Sequence, residues 1–450
     1  MTTITSSNYI LDTSREFSIY VCENRAIPKV ADGLKDAQRK ALWLIRNKAE
    51  KVKTVSLAGE MIQSGLYLHG DASAAGTVSM LAAPFVNNIP LLNGIGTFGT
   101  RTAPVDGIGA PRYTYVKRGA ALQNLMLPDL DIVPMKENYD GSTKEPVHFL
   151  PLIPTVLLNG ISGIAVGWST EILRRKFSDI VEATIAALDG KPLKQLVPHY
   201  ERFDINVSHL EGNTWEMNGR VEILDTSTMR VTELPPDLAL GKFKERLNTM
   251  EDEGKINTYV DRSTKTIDIT VKMQRGTIAG WDEAKAIDFL KLKQKKSERI
   301  VVIDWNNNSI RQYDSAEDVV REFAKWRLGW YTTRYENMLE NDTYQLNYLK
   351  GLKACFEGKL PEMLPKAKDK SEVTAQVVKL TKGIDLDSSQ IERLVSAPSY
   401  RWAKDVYTAN EKHIADYEAM IASHVDILND PKKLKAIYRK ELVELNKLSF

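Results

Sequence analysis

Cysteine is scarce. The 450 residues hold only Cys22 and Cys355, which excludes a disulfide scaffold and fits a reducing cytosol. The six histidines, His69, His148, His199, His209, His413 and His424, form no HxxxH pair, and CxxC is absent, so the spacing offers no zinc site. A GxxxxGK[ST] loop, the usual phosphate cradle for ATP, is missing as well. No stretch approaches the ~20 apolar residues of a membrane span. The start, MTTITSSNYILDTSREF, lacks the basic residues and apolar run of a signal peptide. The expectation is a cytoplasmic protein, mature as written, with no membrane partner. Excess charge of one sign is also lacking: 61 Lys+Arg against 59 Asp+Glu leave +2, giving no global signature of a phosphate binder.

What is present is ordinary globular composition, 43% hydrophobic and 27% charged, and length for about three domains at ~150 residues each. Residues 36–47 place Ala37, Ala41, Leu42, Leu44 and Ile45 on one helical face. Further helices fit 55–66 and 71–83, the last with Asp71 as cap and many small residues. Three short helices followed by turn-rich, strand-like sequence predict a winged helix-turn-helix over 1–150. Residues 151–313 switch to proline-bounded apolar runs and period-2 alternation at 219–225, 229–234 and 265–273, predicting an α+β domain with an antiparallel sheet. From Ser315 a helical stripe of Val319, Phe323, Trp326, Tyr331, Tyr335, Met338, Leu339, Leu346 and Leu349 begins, with Gly329 and Gly351 as points of bending. A second long helix fits 400–429. The expectation for 314–450 is a long antiparallel coiled-coil arm with a helical tip at about 359–399; a plain helix bundle is the alternative.

Gly94-Ile95-Gly96-Thr97-Phe98-Gly99 matches GxGxxG, yet no helix start follows it, so it reads as a tight glycine loop rather than a dinucleotide site. Asp129-Leu130-Asp131 and Asp385-Leu386-Asp387 read as surface or capping acids, because an isolated pair supplies too few ordered oxygens for a metal. The stronger constellation is Arg112-Tyr113-Thr114-Tyr115, followed by Lys117 and Arg118. A tyrosine oxygen can attack a phosphodiester and keep the bond's free energy in a phosphotyrosine ester; an adjacent arginine can stabilise the transferring phosphoryl group. An isolated Arg-Tyr pair is usually a surface feature. Here two basic windows accompany it, 25–49 at +5 and 101–118 at +3, leaving −6 for the rest. The positive charge is concentrated on the helix-turn-helix pattern and beside the tyrosine, as phosphate binding requires.

Six ordered segments carry a resemblance: 23–41 (ENRAIPKVADGLKDAQRKA), 69–73 (HGDAS), 93–100 (NGIGTFGT), 111–114 (PRYT), 138–146 (NYDGSTKEP) and 157–170 (LLNGISGIAVGWST). Together with the helical arm, they make the chain similar over roughly 15–445 to the breakage-reunion subunit of type IIA DNA topoisomerases. The resemblance implies an α+β multidomain fold: a winged-helix DNA-gate domain, an α+β tower domain and a coiled-coil arm with a helical C-gate tip. It implies Tyr113 as the cleaving tyrosine and Arg112 as its catalytic neighbour. It further implies Arg25, Lys35, Arg39, Lys40, His69 and Lys117 as DNA-binding residues and Ile164 as a wedge between base steps. An apolar residue in a glycine-rich loop suits that last role. Tyr115 is the rival nucleophile, on the same face if the segment is extended.

The resemblance also implies what this chain does not carry: Mg²⁺ and ATP, expected on a large ATPase/Toprim subunit within an A2B2 heterotetramer built on a homodimer of this chain. Its compactness is most similar to the separate medium subunit of T-even-type bacteriophage enzymes. There is no QRRGG box and no β-propeller-like region before Phe450, so relaxation or decatenation is expected rather than gyrase-style supercoiling. Ala72 and Gly76 stand where bacterial members carry the serine and acid that contact quinolones, which predicts a weak response to those drugs. The competing class is a non-catalytic, architectural winged-helix protein. A tyrosine recombinase fits poorly, since no HisxxArg box precedes a C-terminal tyrosine.

Overall fold

Helix α1 (Ser6–Val21) runs into one π-helical turn, Cys22–Ala26, in a computed structural model that describes residues 6–450. Helix α2 (Asp36–Ile45) buries Ala41, Leu42 and Ile45, while Ala37 and Leu44 are half-buried. Its start is fixed by Gln38, whose Oε1 accepts from the Lys35 amide at 2.9 Å, the reciprocal bond of a capping box. Strand β1 (Val52–Lys53) leads directly into α3 (Thr54–Gln63), and α4 (Asp71–Ala82) follows after a turn. The cap of α4 differs from expectation: Gly70 is the N-cap and Asp71 the first helical residue. Its carboxylate takes the Ala72 amide at 2.8 Å and still lies where the helix dipole favours negative charge. Strands β2 (Leu92–Ile95) and β3 (Tyr115–Arg118) complete an antiparallel sheet in the order β1-β3-β2. Three helices and a three-stranded wing result.

A hairpin of β4 (Met135–Glu137) and β5 (Lys144–Pro146) precedes the short helix α5 (Thr155–Asn159). Gly33 sits against α5 at φ +65°, where a Cβ would come within 2.4 Å of the Val156 amide nitrogen; only glycine permits both the left-handed turn and that approach. A second hairpin, β6 (Ile161–Ile164) and β7 (Ser169–Ile172), projects beyond α5, and α6 (Phe177–Leu188) follows. Then come β8 (Asn206–His209), β9 (Thr214–Asn218), β10 (Arg220–Ile223), β11 (Thr228–Glu233), α7 (Leu240–Asp252), β12 (Thr258–Asp261), β13 (Ile269–Lys272), α8 (Glu283–Phe289) and β14 (Lys293–Ser297). They form two antiparallel sheets, β10-β11-β13-β12 and β14-β9-β8. The alternation at 229–234 and 265–273 is real: Met229, Val231, Ile269 and Val271 point into one core with Phe243 and Leu247 of α7. A last hairpin pairs β15 (Ile300–Ile303) with β16 (Ile310–Tyr313).

Helix α9 (Ala316–Glu357) is unbroken over 42 residues, ~63 Å at 1.5 Å per residue, so neither Gly329 nor Gly351 interrupts it. By contacts the chain divides into two units, one running to Arg327 and resuming at Arg439–Phe450, the other Leu328–Tyr438. In the second unit α10 (Leu360–Met363), α11 (Lys370–Leu380) and α12 (Ser388–Val395) follow α9, then α13 (Lys404–Leu428); α14 (Pro431–Leu445) leads out of it. The pairs Asp342–His424, Lys350–Glu418 and Lys353–Glu411 fall in opposite orders along the two long helices, which makes α9 and α13 antiparallel. Leu352, Cys355, Leu360, Val377 and Leu394 form the core of the tip. Gly351 lets α12 approach, since a Cβ there would lie 2.9 Å from Leu394 Cδ1. Met338, placed on the expected stripe, is exposed.

Candidate nucleic-acid interface

Tyr113 lies in a turn immediately before β3, its amide donating to the Ala110 carbonyl at 2.9 Å. The turn is held by the start of α3: Thr54 N donates to Thr114 O at 3.0 Å and Val55 N to Pro111 O at 3.2 Å. The buried hydroxyls of Thr54 and Thr114 meet at 2.8 Å. Two otherwise orphaned helix amides thereby fix the backbone on both sides of Arg112-Tyr113. The tyrosine side chain itself is 74% exposed. The Arg112 guanidinium stands 5.3 Å from its ring centroid. A nucleophile on rigid backbone with an unobstructed oxygen, beside an exposed cation, suits attack on a phosphodiester.

Tyr115 occupies a different setting. It is half-buried in β3, with Lys51 Nζ 5.0 Å and Lys53 Nζ 6.0 Å from its ring. The turn conformation at Tyr113 removes the extended geometry that would have put both rings on one face. Lys117 is exposed on β3 opposite Asn93 of β2. Lys51 and Lys53 extend the positive wing and lie outside both basic windows; their i, i+2 spacing before α3 is the signal that sequence offers for them. The glycine loop 94–99 is part of this wing. Gly94 yields to the Phe98 ring, 2.3 Å from where a Cβ would be, and Gly96 and Gly109 back onto Thr114. Its role is to let the wing fold behind the tyrosine turn.

A groove of ≈570 Å³ is lined by Arg25, Lys35, His69, Ser73, Thr77 and Lys296, among others. Arg25 is exposed at the end of the π turn. Lys35 Nζ donates to Ser162 O at 2.7 Å, and burial lowers its pKa from the ordinary lysine value. His69 is partly exposed, bonded through Nε2 to the Tyr20 hydroxyl at 2.9 Å and edge-on to Tyr67. On α4 the outward residues Ala72 and Gly76 are small, so a ligand's backbone can approach closely. Ile164, at the end of β6, is 87% exposed; Val166 and Trp168 are exposed beside it on the hairpin tip. Among the described residues no hydrogen bond, ion pair or ring contact joins Arg112-Tyr113 to Arg25, Lys35 or His69.

Two expected DNA contacts are placed elsewhere. Arg39 is 1% exposed, its guanidinium forked onto Asp32 at 2.7 and 2.9 Å and bonded to Leu34 O. Burial alone would lower the Arg39 pKa, but the Asp32 carboxylate outweighs it and raises it. Lys40 is tied to Asp36 at 2.8 Å and Glu145 at 3.3 Å. In these positions both cations are already neutralised and neither is open to a phosphate. The cause is the packing of α2 against Asp32, which also accepts the Phe149 amide at 3.0 Å. Burial also pushes the Lys29 ammonium, bonded to Val147 O at 2.6 Å, down to about 7. Arg101 is likewise buried against Glu233. The basic windows are therefore less basic at the surface than their sums imply.

Among the described residues no group of three His, Cys, Asp or Glu side chains is placed to hold a metal ion. Asp129 pairs with buried Arg327 and Asp387 caps α12 through the Gln390 amide at 2.7 Å. Among the described residues no helix is long and apolar enough to cross a membrane.

Fold and site define a class: a mixed α+β, winged-helix architecture of DNA-gate type with a long helical arm. The sequence model of the DNA gyrase/topoisomerase IV A-subunit family matches residues 25–443. The chain belongs to that family, the breakage-reunion part of type IIA topoisomerases. DNA topoisomerase 2-alpha of Gallus gallus is 33% identical over 341 residues, covering 72% of this chain and 22% of the relative; that of Homo sapiens is 32% identical over 338 residues, with the same coverage. The chain thus spans about a fifth of the length of these curated relatives. The crystal structure of the Plasmodium falciparum topoisomerase II DNA-binding, cleavage and re-ligation domain shares the fold at a TM-score of 0.85 and 23% identity, covering 98% of this chain and 64% of that one.

Proposed function

We propose that this chain is the DNA cleavage-and-religation subunit of an ATP-dependent type IIA topoisomerase. Tyr113 Oη attacks a backbone phosphorus; the bond from phosphorus to the 3′-oxygen breaks as the tyrosine ester to the 5′-phosphate forms. The freed 3′-hydroxyl reverses the step, so no energy input is needed to reseal. Arg112 stabilises the charge on the transferring phosphoryl group. Arg25, Lys35, His69 and Lys117 hold backbone phosphates, and Ile164 enters a base step and kinks the duplex. Two copies act together, one tyrosine per strand, and a second duplex passes through the break. The lack, among the described residues, of any hydrogen bond, ion pair or ring contact between the tyrosine turn and Arg25, Lys35 or His69 is consistent with a site completed between two copies.

On this reading 1–150 is the gate domain, 151–313 the tower and 314–450 the arm with its dimerising tip. Mg²⁺ and ATP would be held by a large ATPase/Toprim subunit in an A2B2 complex of the T-even phage kind, in the host cytoplasm if phage-encoded; Mg²⁺ bound there would supply charge stabilisation for the phosphoryl transfer. The observation that carries the proposal is the bare Tyr113 side chain on a backbone clamped by α3. The test is denaturant trapping of labelled duplex with a Toprim partner and Mg²⁺. Wild type should yield covalent adduct, and Tyr113→Phe none at nearly unchanged duplex affinity. Adduct from the variant would move the chemistry to another residue such as Tyr115. No adduct from wild type would favour an architectural DNA-binding role.

A further inference from the structure

The hairpin that presents Ile164 is backed by a cation that neither basic window includes. Ile164 of β6 and Ser169 of β7 are register partners, and directly opposed residues of an antiparallel pair project to the same face. The Arg299 guanidinium donates to Ser169 Oγ at 2.8 Å, so it lies on the face from which Ile164 protrudes. Its backbone is pinned there: Arg299 N donates to Glu171 O at 2.9 Å and receives the Glu171 amide at 2.9 Å in return. The Thr170 hydroxyl also donates to Arg299 O at 3.3 Å. Its side chain is exposed, and among the described residues no carboxylate pairs with it. Glu171, joined to Arg299 through the backbone, pairs by its side chain with Lys296 at 3.3 Å. The opposite face of the hairpin packs inward, where a Cβ on Gly163 would lie 2.1 Å from Ala26 O. Hairpin and arginine are thus presented together as one outward surface.

Resting on the reading that Ile164 kinks DNA, we propose that Arg299 is a phosphate clamp for the kinked duplex. A wedge that unstacks a base step bends the helix and crowds backbone phosphates on the compressed side, which raises the cost of deformation. A guanidinium with a fork of free donors beside the wedge can take a phosphodiester bidentately and offset that repulsion. Among the described residues only Ser169 Oγ takes a bond from it, so most of its donors are available. The ligand class is a nucleic-acid backbone phosphate next to the distorted step, and the role is positioning rather than chemistry.

The experiment uses the full chain and an end-labelled duplex, reading binding against salt and the bent fraction by energy transfer. Arg299→Gln should bind roughly tenfold more weakly at low salt. The slope of log affinity against log salt should fall by about 0.9 per copy, and the bent fraction should drop toward that of Ile164→Ala. Arg299→Lys should recover the salt slope but less of the bending, because an ammonium lacks the fork. Melting temperatures of both variants should match wild type, as the side chain is exposed. If Arg299→Gln bends and binds as wild type does, the clamp is wrong while the cleavage function stands. If wild type itself binds no duplex, or binds without bending it, the wedge reading fails and the clamp fails with it.

Discussion

Arg25 and Arg39 bring the same charge into the same basic stretch, yet their surroundings give them opposite work. Arg25 is open to solvent; Arg39 is inside, paired with Asp32. Arg25→Ala should lower the salt slope of duplex binding by about 0.9 per copy and leave thermal stability unchanged. Arg39→Met should instead leave Asp32 buried without its partner and cost about 3–5 kcal/mol, read as a loss in denaturation midpoint without DNA present. A variant Arg39→Met that folds normally but binds DNA with a shallower slope would return Arg39 to the interface. The same buried cluster sets a pH dependence. Burial pushes Lys29 down to about 7 and His148 down to about 4. For Lys29 the unfolded chain binds a proton between about pH 7 and 10.4 that the folded chain does not, so stability rises with pH across that window. For His148 the same sign applies between about pH 4 and 6.5, so stability falls as pH drops through it. Lys29→Met should raise the melting temperature at pH 7 and flatten its climb toward pH 10. An unchanged climb would place the titration elsewhere.

At the scale of elements, the α3–wing junction decides whether the tyrosine is held. Thr114→Val removes one hydroxyl of a buried pair and strands Thr54, costing about 1–3 kcal/mol. It should slow covalent trapping more than it weakens duplex binding, while Thr114→Ser, which keeps the hydroxyl, should recover both. Equal losses in trapping and binding would mean the pair is merely structural. On α4, Ala72 and Gly76 offer no side-chain oxygen on the outward face. Quinolones should accordingly stabilise cleaved complexes weakly, and potent poisoning at levels effective on gyrase would refute this. The elements themselves are legible in sequence to different degrees. Helices α2 and α3 are readable because apolar residues recur at helical spacing, and Asp36 and Gly70-Asp71 mark the starts of α2 and α4. The strands near 220, 230 and 270 are readable because one face is wet. Helix α1 is not, since its residues from Tyr9 to Phe17 are all exposed and no one-sided burial imposes a period. Arg39 misleads for a related reason: a motif gives a residue's identity, while its burial depends on Asp32 and Phe149, the latter far away in sequence. Arg299 is invisible in sequence because its meaning comes from a cross-strand register that no local pattern encodes.

For the whole molecule the question is what a chain of +2 net charge does with DNA. Part of its positive charge is neutralised internally: Arg39, Lys40, Arg101, Arg175 and Arg327 all answer buried carboxylates. The cations left open along the proposed DNA path are few: Arg25 at the groove, Lys51, Lys53 and Lys117 on the wing, Arg112 at the tyrosine and Arg299 at the wedge. Few open cations imply modest affinity for one chain, since each phosphate neutralised contributes separately to binding. Two copies double the contacts, and linked binding then rises through effective concentration rather than through new contacts. The chain mixed with a large ATPase/Toprim subunit should therefore run at the mass of a 2:2 complex, bind duplex far more tightly than the chain alone, and cleave only when Mg²⁺ is added. Chelation should abolish the covalent adduct while leaving the complex and its DNA binding in place, since the proposed function gives the metal to the phosphoryl transfer and the cations of this chain to the grip. Cleavage by this chain alone with Mg²⁺ would place a metal site within it and overturn the division of labour.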